Sequence, residues 1–120
     1  MVNVCVSWID SFDLKRFAAG GDKYGSLIAF FKSKFSSKID ELHVVINNEN
    51  RYSEYIDQFF GHIKSRYSVG KKIICHKIDY IQDDMKLIYG KLNEIKKEYS
   101  EKINLYIHLG MGRLPQSVLF

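Results

Sequence analysis

Apolar residues in this chain fall into short runs separated by longer amphipathic stretches. Residues 2–8 (VNVCVSW), 41–47 (ELHVVIN), 71–78 (KKIICHKI) and 103–109 (INLYIHL) are compact and rich in β-branched side chains, and each is predicted to be a strand. Between them the period changes. Residues 25–35 (GSLIAFFKSKF) place Leu27, Phe30, Phe31 and Phe35 on one helical face. Tyr52, Ile56, Phe59, Phe60, Ile63 and Tyr67 recur at three- and four-residue intervals, and Ser68-Val69-Gly70 closes that helix. Met85, Ile88, Leu92, Ile95 and Tyr99 form the apolar stripe of a third helix. Gly90 in its middle costs about 1 kcal/mol relative to alanine, which packing must offset.

The resulting order is β-α-β-α-β-α-β, followed by a glycine loop and the start of a further helix. Short strands alternating with helices specify an α/β fold, a Rossmann-like open parallel sheet with right-handed crossovers and helices on both faces. At 120 residues, with no repeat, linker or low-complexity tract, residues 1–120 read as a single domain.

Composition adds little to this. A 46% apolar and 27% charged chain is ordinary for a globular domain. The net charge of +4 favours an anionic partner without drawing a nucleic-acid stripe. Cys5 and Cys75 both sit in strand-like runs, away from metal-ligand spacing, so they read as buried reduced thiols. No signal peptide or membrane span is recognisable, and a soluble cytoplasmic protein is expected.

Candidate chemistry gathers where open α/β sheets bind ligands, outside the carboxyl ends of the strands. Strand geometry brings Ser7, Trp8, Asp10, Asn47, Asn48, Asp79, His108 and the Gly110–Arg113 loop to that edge. Gly110 and Gly112 permit close approach of a ligand, and Pro115 suits a first helical turn whose free N–H groups attract phosphate. Arg113 adds a fixed charge, and Lys15 and Arg16 follow the first strand. Trp8 either stacks on a base or plugs the core edge. Asn47 and Asn48 either read a ribose or base edge or cap the next helix.

His108 is the histidine placed closest to the glycine loop, as a packing residue or a proton-transfer group. The directions of His43 and His76 on their strands stay open, and His62 is assigned to the solvent side of its helix. No metal-ligand spacing, P-loop or dinucleotide fingerprint is present, so no metal or cofactor is expected. Ser11 and Ser117 have no adjacent base, which leaves a nucleophilic triad unsupported.

Four stretches together resemble a known family. VSWIDSFDLK with YGSLIAFF, then CHKIDYIQDDMKLIYGKL, then IHLGMGRLPQSVLF are similar in order and character to the sensor domains called CRISPR-associated Rossmann-fold (CARF). The subset most like them stands at the N-terminus of transcriptional regulators of RNA-repair operons. Carried over by position, Asp13 matches the first-loop acid of that family, and Gly110, Gly112, Pro115 and Gln116 match its final glycine loop. Leu109 replaces a proline common there, Arg113 stands where a Thr-Pro pair is usual, and Asp79 lacks the neighbouring Pro-Thr.

The resemblance implies a ligand-sensing regulatory domain, a fragment of a longer chain with an effector beyond Phe120. Its ligand would be a nucleotide-type anion, either a cyclic oligoadenylate or a phosphate-ended RNA. It would work as a homodimer, in nucleotide-dependent control of an effector such as a transcription regulator. Strand geometry and the resemblance together give the candidate ligand residues as Trp8, Asp10, Asp13, Lys15, Asn47, His108, Gly110, Gly112, Arg113 and Gln116. The alternative is a metal-independent ring nuclease that cleaves cyclic oligoadenylate. A receiver-like domain is disfavoured because no lysine follows the fourth strand.

Overall fold

The structure is a computed structural model describing residues 2–9, 11–20, 26–48, 51–78, 85–99 and 102–109. Four parallel strands form one sheet: β1 (Val2–Ile9), β2 (Glu41–Asn47), β3 (Lys72–Ile78) and β4 (Ile103–Leu109), in the order β3-β2-β1-β4. The helices are α1 (Ser11–Ala18), α2 (Ser26–Lys32), α3 (Ile56–Tyr67) and α4 (Met85–Lys97). The open parallel α/β sheet expected from the pattern is therefore present. The start of a helix after β4 lies outside the described residues.

Strand order dictates which face each helix covers. The chain steps from β1 to β2 to β3 in one direction, so right-handed crossovers put α1, α2 and α3 on the same face. It then jumps back past β2 and β1 to reach β4, and the same handedness sends α4 to the opposite face. Side-chain alternation agrees. Cys5, Ile9, Leu42, Val44 and Ile46 meet Leu14, Leu27, Phe30, Phe59 and Ile63 on the first face. Val6, Trp8 and Val45 meet Leu92 and Ile95 on the second. Each fully buried Leu or Ile contributes about 1.5–3 kcal/mol of transfer free energy.

Two helical boundaries differ from expectation. The stretch after the first strand, expected as a loop, forms α1, because Leu14 turns into the core and Phe17 packs edge-on against Phe59. The helix expected over 25–35 stops at Lys32 and is followed by a 3₁₀ turn over Lys34–Lys38. Phe35 consequently leaves the helical face, is 37% exposed, and packs edge-on against Tyr106 of β4 at 5.0 Å. Beyond the end of α3, Gly70 takes φ +77°, a left-handed angle that glycine adopts without steric cost.

Register places β1 centrally. Ser7 lies between Val44 of β2 and His108 of β4, and Trp8 pairs with Val45. β1 and β4 are neighbours whose connections leave in different directions. The crevice at their carboxyl ends is the topological switch point of this sheet.

Candidate functional site

Ser7 and His108 meet at that switch point. Being register partners on parallel strands, they point to the same face, and the Ser7 hydroxyl lies 2.7 Å from His108 Nδ1. Ser7 is fully buried, and the Phe30 ring sits 5.2 Å from the His108 ring, closing the inner side of the pair. Desolvation lowers the His108 pKa, so the imidazole is neutral at pH 7. A neutral imidazole has one donor and one acceptor nitrogen, and Ser7 occupies Nδ1. When the serine donates, Nε2 carries the proton and is a donor; when it accepts, Nε2 is a base. Among the described residues nothing bonds Nε2.

The remaining sequence candidates have distinct placements. Trp8 is 3% exposed on the α4 face, within the core formed by Val6, Val45, Leu92 and Ile95, so its ring serves packing. Asp13 is 2% exposed, and its carboxylate accepts the Leu27 N–H at 3.1 Å. That bond ties the first turn of α1 to the first turn of α2 and places a negative charge at the positive end of a helix. Lys15 lies exposed about one turn into α1, next to exposed Arg16. Asn47, half-buried, ends β2, and exposed Asn48 donates its backbone N–H to the Ile78 carbonyl at 2.7 Å. Asp10, Asp79, Gly110, Gly112, Arg113, Pro115, Gln116 and Ser117 lie outside the described residues. Of the sequence candidates, the structure thus brings together Ser7 and His108.

A second polar cluster escaped the sequence reading. On the α4 face, His43 Nδ1 lies 2.8 Å from His76 Nε2, and His43 Nε2 lies 2.7 Å from the Tyr99 hydroxyl. The Glu41 carboxylate is close enough to Tyr99 to help raise the pKa of its hydroxyl. His76, His43 and Tyr99 thus form one chain of hydrogen bonds, with donor and acceptor set by the histidine tautomers. Desolvation is the main cause that lowers the pKa of both histidines, His76 to about 4. Burial also pushes the Tyr99 hydroxyl well above its ordinary value. The cluster pins the end of α4 to β2 and β3.

His62, expected toward solvent, is half-buried, with its ring 5.5 Å from Phe17 and 6.4 Å from Tyr67. The formation of α1 brings Phe17 over α3 and covers it. Cys5 and Cys75 are both free thiols, Cys5 buried and Cys75 partly so. Burial pushes them up to about 12 and about 11 respectively. Among the described residues, no group of three or more His, Cys, Asp or Glu is arranged to hold a metal ion. No described helix is long and apolar enough to cross a membrane.

No protein-family model matches the chain, and no curated protein or solved structure is significantly similar to it. The resemblance to CARF domains rests on the quoted motifs alone.

Proposed function

We propose that this chain is a ligand-sensing domain that takes a nucleotide-type anion at the β1/β4 carboxyl edge and passes its occupancy to an effector. The observation that carries this reading is the Ser7–His108 pair at the switch point. With Ser7 donating to Nδ1, His108 offers a neutral N–H donor from Nε2, which suits a phosphate oxygen. In the sequence, Gly110, Gly112 and Arg113 follow directly on β4. Sensing then needs no chemistry, only a difference in affinity between two states of the protein.

The second reading, a ring nuclease, draws on the same pair. With Ser7 accepting from Nδ1, His108 Nε2 is a neutral base able to take the proton of a ribose 2′-OH. The 2′ oxygen would attack the adjacent phosphorus, the P–O5′ bond would break, and the products would be a 2′,3′-cyclic phosphate and a 5′-OH.

A thermal-shift screen tests both readings, using cyclic tri-, tetra- and hexa-adenylate and a short RNA bearing a 2′,3′-cyclic phosphate. Any stabilising ligand is then recovered and chromatographed. A raised Tm with intact ligand is expected for the sensor, and cleaved ligand for the nuclease. No shift with any of the four contradicts both.

A further inference from the structure

The charge of this chain is unevenly placed. Two stretches, residues 29–41 and 64–72, hold seven Lys or Arg against two Asp or Glu, a net +5 in 22 residues. The whole chain is +4, so the other 98 residues sum to −1. In the sequence β2 and most of α3 separate the two stretches, and neither is a basic run.

The fold joins them. In a parallel sheet each crossover helix runs back along the strands, so the ends of α2 and α3 both lie at the amino ends of the strands. Lys71 Nζ donates to the Ser36 carbonyl and lies 2.8 Å from the Ser36 hydroxyl. The Lys72 N–H donates to the Asp40 carbonyl at 2.9 Å. The Phe31 and Tyr67 rings stack at 4.3 Å between α2 and α3. The two stretches therefore form one continuous surface, all of it within the described residues.

Lys32, Lys34, Lys38, Lys64, Arg66 and Lys72 are exposed on this surface, and half-buried Lys71 links its two parts. Of the two acids, Asp40 accepts the Asn3 N–H at 2.8 Å, and Glu41 is half-buried near Tyr99. Helix dipoles account for Lys32, Lys64 and Arg66, each in a last helical turn. They do not account for Lys34, Lys38 and Lys72, which complete a field of one sign. Aromatic rings stand among the charges. Phe35, between Lys34 and Lys38, is 37% exposed, and the Arg66 guanidinium lies 6.0 Å from the Tyr67 ring centroid. Cations that follow a phosphate backbone, beside a ring that stacks on a base, suit an unpaired strand. A duplex hides its base faces.

We propose that this basic end is a docking surface for single-stranded nucleic acid, its six exposed cations following the phosphates and Phe35 stacking on a base. It stands at the opposite end of the strands from the Ser7–His108 crevice. It is a second site, independent of the ligand reading.

The test is fluorescence anisotropy of the 120-residue chain over a range of salt concentrations. The probe is a labelled oligouridylate of about 20 nucleotides, longer than a typical site of about 4–16. A Kd of about 1–100 μM is expected at physiological salt. Contact with about four to six phosphates gives log affinity against log salt a slope of about −3 to −4. Lys34→Gln with Lys72→Gln should flatten that slope by about 1.4 and weaken binding about tenfold, with unchanged circular dichroism. Lys77→Gln with Arg51→Gln removes the same charge at the other end of the sheet and should leave both nearly unchanged. Phe35→Ala should weaken binding by about fivefold or more at high salt, where charge is screened.

Equal losses in the two charge variants would mean that net charge alone holds the strand, and would overturn the proposal. So would no binding at physiological salt, a preference for duplex, or tighter binding to anionic vesicles than to the oligonucleotide. The probe contains neither adenine nor a cyclic phosphate, so its failure to bind leaves the ligand reading intact.

Discussion

The Ser7 hydroxyl and the His108 imidazole stand 2.7 Å apart, joining two strands whose residues lie 101 positions apart in the chain. The pair does two things at once: it satisfies a fully buried hydroxyl and sets what the other nitrogen of His108 can offer. Ser7→Ala removes the partner of Nδ1 in a desolvated setting. A loss of about 1–3 kcal/mol is expected, read from the urea midpoint at an unchanged slope. An unchanged midpoint would mean that the bond contributes nothing net.

The histidine cluster predicts an acid-sensitive fold. His43 and His76 have folded pKa values below the ordinary 6.5, chiefly through desolvation. Lys72 and Lys91 lower them further, while Glu41, Glu94 and Glu98 oppose the shift. Above pH 6.5 both states are neutral at these sites, and the cluster adds no pH dependence. As pH falls from 6.5 toward about 4, the unfolded chain takes up protons that folded His76 refuses, so stability is lost. The slope is at most about 1.4 kcal/mol per pH unit for each histidine, less where solvent reaches the ring. Denaturation of the wild type and His76→Gln at pH 7.5 and pH 5 isolates the effect, and the variant should lose less on acidification.

Tyr99→Phe leaves His43 Nε2 without its hydrogen-bond partner in a fully buried ring. A loss of about 1–3 kcal/mol is expected at neutral pH. Hydrogen exchange should report faster opening at the end of α4, where Tyr99 is the anchor. Uniform exchange across α4 in wild type and variant would argue against a local latch.

Two glycines should respond in opposite directions. Gly90 lies exposed within α4, and nothing stands within 4 Å of an added Cβ. Gly90→Ala should stabilise by about 0.5–1 kcal/mol. The packing of Leu92 and Ile95 against the sheet carries α4 in spite of this glycine. Gly70 also has open space, but its φ of +77° strains any L side chain, so Gly70→Ala should destabilise by about 1 kcal/mol. Paired thermal denaturation curves decide both.

The thiols should be slow to react in the folded chain. With pKa values pushed up to about 12 and about 11, Cys5 and Cys75 hold little thiolate at pH 8. Alkylation by iodoacetamide, followed by mass spectrometry, should run roughly tenfold or more slower than after unfolding.

Strands and long helices were legible in the sequence because each carries its own period over seven or more residues. The parallel sheet and its two-faced covering followed from the alternation of strands and helices, whereas the strand order β3-β2-β1-β4 needed the structure. α1 was not legible, since SFDLKRFA offers only Leu14 and Phe17 as a clear apolar pair over two turns. The bond from Asp13 to Leu27 and the pairing of His43 with His76 were also hidden. Both depend on how separate segments are brought together, and a one-residue slip in strand register would reverse a side chain's face. Ser7 and His108 were both placed at the carboxyl edge, but their contact needed the β1–β4 register.

The most direct test of the ligand reading is a nuclear magnetic resonance titration of the imidazole groups with the same four oligonucleotide probes. His43 and His76, on the opposite face of the sheet, serve as internal references. The account predicts that one probe moves the ring resonances of His108 and leaves those of His43 and His76 in place. A probe that binds and leaves His108 unmoved, or four probes that perturb no histidine, would contradict it.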